Sequence, residues 1–177
     1  ALAMLSGMVE MSDELWAMTI GVGIVFLAIT GLLLVMDLDR PERFLYVMLR
    51  PNWDSWLVKG AYILSGYGGI LALSAGVIIL DLDTSLLAYL AIAGVPLALL
   101  TGVYTAWLLM QAKGRSWSED SLLPAKFLIE TVAIGAAVFF PLSLMEPLSF
   151  AIGGAVLLGI LAHDKKLVMK PQMEPLL

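Results

Sequence analysis

The sequence contains no cysteine and a single histidine, His163. Without cysteine the chain has no disulfide and no thiolate ligand for an iron–sulfur cluster. One histidine is too few for bis-histidine haem ligation, which excludes a cytochrome b-type electron carrier unless a partner supplies ligands. Charge is also scarce. Only 14% of residues are Asp, Glu, Lys or Arg, against about 25% in a soluble domain. The net charge of −5 argues against a nucleic-acid partner.

What is present is apolar. Sixty per cent of the 177 residues are hydrophobic, and the mean hydropathy is +0.94. Runs long enough to cross a bilayer recur, and each reads as a helix because hydrocarbon offers backbone groups no other partner. The expected fold is all-α: a polytopic transmembrane helix bundle forming one domain over residues 1–177, surrounded by the lipid bilayer. Five spans are predicted, at residues 15–36, 56–80, 86–111, 124–141 and 148–162. The last is short, about 22 Å by helical rise against a hydrocarbon core of about 30 Å. It needs its flanks, either residues 142–145 or snorkelling of Lys165 and Lys166, or it is not a full span. Residues 1–11 are too short to span, and no basic segment precedes them as in a signal peptide. Ser12 or Asp13 is placed to cap the first helix. The second run is rich in Gly and Ser, which lets helices approach closely, and Pro96 is a predicted kink in the third.

The basic residues give an orientation. With five spans, all ten Lys and Arg fall on one side and only acidic residues on the other. The positive-inside rule makes the basic side cytoplasmic, with the N-terminus out and the C-terminus in.

Residues 35–60, VMDLDRPERFLYVMLRPNWDSWLVKG, form a charged connector marked by two prolines. Proline biases the preceding residue away from helix, so DRPE and RPNW read as turns. Phe44–Leu49 between them fits a short interfacial helix. Asp37, Arg40, Glu42 and Arg43 make a dense charged corner in which Arg40 or Arg43 can hold Asp37 by a charge-assisted bond. A solvated interfacial loop is the plainer account of the same residues.

Glu130 is the one acid well inside a predicted span, roughly 9 Å from the basic end of its helix. Such a carboxyl is costly to keep charged in a membrane, which makes it a candidate for taking up and releasing protons. The plainer alternative pairs it with Lys126 one turn earlier. Tyr62, Tyr67 and Tyr104 are candidate hydrogen-bond donors to a carbonyl ligand. Thr101, Tyr104 and Thr105 share a helix face, a stripe that helix–helix hydrogen bonding also explains. The five tryptophans fit an aromatic belt. His163, followed by Asp164, Lys165 and Lys166, reads as an interfacial anchor, and no metal site is expected.

Two stretches carry a family resemblance. LLLVMDLDRPERFLYVMLRPNWDSWLVKGAYIL resembles the signature of NrfD/PsrC-type membrane subunits of respiratory complexes, polysulfide reductase-like and also found in alternative complex III. That signature is a helix ending in an Asp-Leu-Gly-Arg-Pro-Glu-Arg-Phe corner, followed by Arg-Pro-Asn and a Ser-rich helix start. Asp39 stands here in place of the usual glycine. GVYTAWLLMQAKGRSWSEDSLLPAKFLIETVAIGAA is similar to a second family segment, with Ala106 where glycine is common and Ser116 where proline is common. The two cover residues 32–137, in the family order.

The resemblance implies a quinone- or quinol-interacting subunit of a multi-subunit respiratory oxidoreductase in a prokaryotic plasma (inner) membrane. Such a subunit binds menaquinone or ubiquinone as substrate and carries no haem. It exchanges electrons with a ferredoxin-like iron–sulfur subunit that holds the clusters, alongside a catalytic or cytochrome subunit. It has no complete active site of its own. On this reading Tyr67 and Tyr104 contact the quinone, and Asp37, Arg40 and Arg43 serve proton transfer; Glu130 stands where the family more often has a small polar residue, so its proton-transfer role is proposed from the residue itself. Family members usually have eight or more helices. The one expected before the first run is here absent or reduced to residues 1–11. The alternative is a non-redox membrane anchor or scaffold of such a complex. A small transporter is a weaker third reading.

Overall fold

A computed structural model describes residues 12–36, 44–111, 120–144 and 147–173. They form six helices: α1 (Asp13–Met36), α2 (Phe44–Leu49), α3 (Trp56–Ile79), α4 (Ser85–Met110), α5 (Leu123–Leu144) and α6 (Pro147–Met173). No strand occurs among the described residues. All but α2 are long and apolar enough to cross a membrane, in α6 over Pro147–Lys165. Their outward surfaces carry Phe26, Leu33, Ile129 and Leu158, each more than half exposed. Water would penalise that much apolar surface and lipid does not. The chain is a multi-pass membrane protein.

The short interfacial helix predicted at Phe44–Leu49 is observed with those bounds. The predicted ends of the last two spans need correction. The fourth does not stop at Pro141: α5 continues to Leu144 with Pro141 buried inside it. The fifth does not stop at Ala162: α6 runs through His163. The polar residues after Ala162 extend the helix, because Asp and Lys are tolerated in helices and no proline intervenes until Pro171. Length that composition seemed to deny the fifth span is thus gained at its C-terminal side.

The chain divides between Thr101 and Gly102 into two compact units. In the first, α1 packs along α3, with Leu71 over Gly23 and Leu27 over Gly68. Trp16, Ile20, Val77 and Leu87 form a buried cluster at one end. The Ser12 hydroxyl accepts the Leu15 N–H at 3.2 Å, capping α1. α3 ends with Asp81 at φ 51, and the Leu82 N–H donates to the Val77 carbonyl at 2.9 Å. That left-handed cap turns the chain tightly into α4, whose Ser85 N–H donates to Asp83 Oδ1 at 2.9 Å. The Ser85 backbone N–H first, and then the Ser85 hydroxyl, hold the Asp83 carboxyl below the usual range. Helix α2 is tied to the start of α3 by the Tyr62 hydroxyl, which donates to the Met48 carbonyl at 2.6 Å. Trp53 stacks on Tyr62 with ring centres 4.9 Å apart, and Lys59 Nζ sits 4.4 Å from the Trp56 ring centre.

The second unit holds the end of α4 with α5 and α6. Ala106 and Leu123 are fully buried, packed by Leu109, Met110 and Phe127. At Gly102 a Cβ would overlap the Thr131 side chain, so only glycine permits this approach of α4 to α5. The α5–α6 pair is an antiparallel hairpin. Gly153 of α6 lies against the Ala137 carbonyl and Pro141, where any Cβ would collide with backbone. The close seam fixes the register of the hairpin, and the register brings the functional candidates together.

Candidate functional site

Glu130 lies in the third turn of α5, and the hairpin register sets it opposite His163 of α6. Glu130 Oε1 is 3.4 Å from His163 Nδ1, and His163 Nδ1 is 3.8 Å from Asp164 Oδ1. The three ligand-type atoms all fall within 4.8 Å of one another. Glu130 is half-buried, with 21% of its side chain exposed, whereas the His163 side chain is 63% exposed. The acid inside the span is therefore linked to a titratable ring at the outer end of the hairpin. Two carboxylates of like charge face one imidazole, and that arrangement favours a proton or another cation between them.

Lys126 does not fill that role. Its ammonium donates to Asp120 Oδ2 at 2.5 Å, so the simple Lys126–Glu130 pair is not formed. Asp120 also accepts the Leu122 N–H at 3.0 Å, opening α5 with an Asx turn. The Lys126 ammonium, more than any other neighbour, holds the Asp120 carboxyl below the usual range.

The other sequence candidates among the described residues lie on other helices. Tyr67 is half-buried on α3 in the first unit, and Tyr104 is 4% exposed on α4 in the second. Tyr62 is already committed to the Met48 carbonyl, which removes it as a donor to a ligand. Thr101 donates to Leu97 O of its own helix at 2.8 Å, as Ser74 does to Ile70 O and Thr131 to Phe127 O. These hydroxyls are satisfied locally. Asp37, Arg40 and Arg43 lie outside the described residues.

Along the α5–α6 seam runs an open groove of about 330 Å³, lined by Ala133, Ala137, Phe140, Pro141, Gly153 and Val156 among others. Ala133 is one turn from Glu130. The lining suits an isoprenoid or acyl tail and contains no tyrosine. Among the described residues no buried side-chain nitrogen or oxygen lacks a hydrogen-bond partner. Ser149 is the one hydroxyl among the lining residues, and the rest of the lining is apolar.

His163 and Asp164 are the partners that sequence reasoning missed. They are 33 and 34 positions from Glu130, and no local periodicity joins them. The available signal was hairpin register: residues at similar distances from the facing helix ends meet across an antiparallel pair, and Glu130 lies 14 residues before Leu144 while His163 lies 16 after Pro147. No curated protein and no solved structure matches the chain. Residues 7–147 match the family model described as polysulphide reductase, NrfD, and the chain belongs to that family.

Proposed function

We propose that the chain is the quinone-interacting membrane subunit of a respiratory oxidoreductase complex in a prokaryotic plasma membrane. In this reading Glu130 exchanges protons with the aqueous phase through His163. Family membership supports the setting. The observation that carries the proton role is the 3.4 Å approach of Glu130 to His163, one turn from the apolar groove.

Oxidation of a quinol releases two protons with two electrons, so a subunit serving it needs a proton acceptor near the lipid phase and an exit. Glu130 provides an acceptor in the third turn of its helix. An imidazole can both take up and give up a proton, and His163 continues the path from Glu130 toward the Lys165 end of α6. Tyr104, nearly buried, and Tyr67 are the proposed hydroxyl contacts to the quinone head. Asp37, Arg40 and Arg43 are proposed as a further charged corner on the proton side. A ferredoxin-like iron–sulfur subunit is the proposed electron partner, since this chain has no cysteine to hold a cluster. The positive-inside rule puts the Lys126 and Lys165 ends in the cytoplasm.

Mild-detergent purification of the tagged chain, with mass spectrometry of co-purifying proteins and lipid-soluble cofactors, tests this reading. Recovery of an iron–sulfur subunit together with a quinone is expected. Recovery of the iron–sulfur subunit without quinone favours a non-redox anchor, and recovery of neither contradicts both.

A further inference from the structure

Glu130, His163 and Asp164 bring two carboxylates and an imidazole from facing helices into one cluster. We infer that this cluster is a binding site for one divalent transition ion of zinc's class, clamping α5 to α6. The donor set is of the right chemistry: imidazole nitrogen and carboxylate oxygen are both ordinary zinc ligands.

The spacing supports the assignment. Zinc bonds of about 2.0–2.2 Å in a tetrahedron set ligand–ligand edges of roughly 3.3–3.5 Å. The Glu130 Oε1–His163 Nδ1 separation is 3.4 Å, already that edge. It is also longer than the roughly 2.7–3.2 Å typical of a direct N–H···O hydrogen bond. The His163–Asp164 separation of 3.8 Å is a few tenths wider and closes with a side-chain rotation.

Charge points the same way. Glu130 and Asp164 repel each other across the cluster, and the lysine nearest on α5 is held by Asp120. A dication neutralises both carboxylates where the partly buried Glu130 makes their repulsion costly. Coordination through Nδ1 leaves Nε2 of His163 to carry the ring proton, and the ring is exposed enough for that proton to find an outer acceptor. Three protein ligands leave a fourth position for water. The site shares Glu130 and His163 with the proton reading but stands without it, because metal binding is measured with no quinone present.

The test uses the full chain, purified with the subunits that accompany it, freed of metal by chelation and titrated with zinc alone. Calorimetry is expected to show a site that weakens tenfold or more in Glu130→Gln, in His163→Gln and in Asp164→Asn. Circular dichroism confirms that each variant is folded. Zinc-edge X-ray absorption of the wild-type complex provides a readout independent of any substitution. The expected shell for this site is one imidazole with oxygen ligands, lost in His163→Gln. Zinc affinity unchanged in all three folded variants overturns the site, as does an absorption spectrum that His163→Gln leaves unaltered.

Discussion

Glu130 Oε1 lies 3.4 Å from His163 Nδ1, across the seam of a membrane hairpin whose two helices touch through Gly153 and the Ala137 carbonyl. The site and the seam are one construction. The glycine permits the close approach, the approach fixes the register, and the register places an acid inside the span beside a histidine at its outer end.

That dependence is testable at the glycine. Gly153→Leu is expected to destabilise the hairpin by about 1–3 kcal/mol, the usual cost of overpacking. Gly159→Ala, one helix position with open space around it, is expected to be near neutral. Thermal unfolding in detergent compares the two. Equal stability of both variants contradicts the close seam.

A second prediction concerns the connector. Tyr62→Phe removes the bond to the Met48 carbonyl and keeps the ring on Trp53. A loss of about 0.5–1.5 kcal/mol is expected, the net worth of one hydrogen bond. Tyr62→Ala removes the stacking as well and should shift the fluorescence maximum of Trp53, read in a background lacking the other tryptophans. No shift means that the two rings are not in contact.

Acid should loosen the start of α5. The Lys126 ammonium lowers the folded-state pKa of Asp120 below the unfolded value of about 3.9. A depressed carboxylate contributes stability that is present above the unfolded pKa and is lost as pH falls through the folded one. Asp120→Asn removes this contribution at neutral pH and abolishes its share of the acid dependence. Both residues are substantially exposed, so the effect is small and falls with salt. An NMR titration of the Asp120 carboxyl reads it, with a midpoint below that of Asp120 in a Lys126→Ala background. Identical midpoints contradict the pairing.

The helices were legible in the sequence because each membrane span must satisfy its own backbone, and a long apolar run leaves no other solution. The start of α1 at Ser12 and the turn at residues 81–85 were also local signals, written in Ser and Asp side chains that bond nearby N–H groups. The ends of α5 and α6 were less legible. Pro141 looks like a stop, yet a proline inside a membrane helix is accommodated when neighbouring packing supports it. His163–Lys166 looks like an interfacial end, yet polar residues continue a helix without difficulty once it leaves the apolar layer.

The site was half legible. Glu130 stands out because a carboxyl in an apolar run is rare and costly. Its partners do not, since the distance between Glu130 and His163 is a tertiary fact set by the packing of α5 on α6 at Gly153. Tyr62 illustrates the converse. It looked equivalent to Tyr67 and Tyr104 as a ligand donor, and its use by the Met48 carbonyl became visible only once α2 was placed against α3.

The most direct test of the proton role is quinone-linked turnover of the assembled complex carrying Glu130→Gln. Gln keeps the size and polarity of the side chain and removes its exchangeable acid proton. Turnover is expected to fall at least tenfold, by the loss of one general acid–base group, while the complex assembles as in the wild type. Turnover equal to wild type in a fully assembled Glu130→Gln complex would contradict the account.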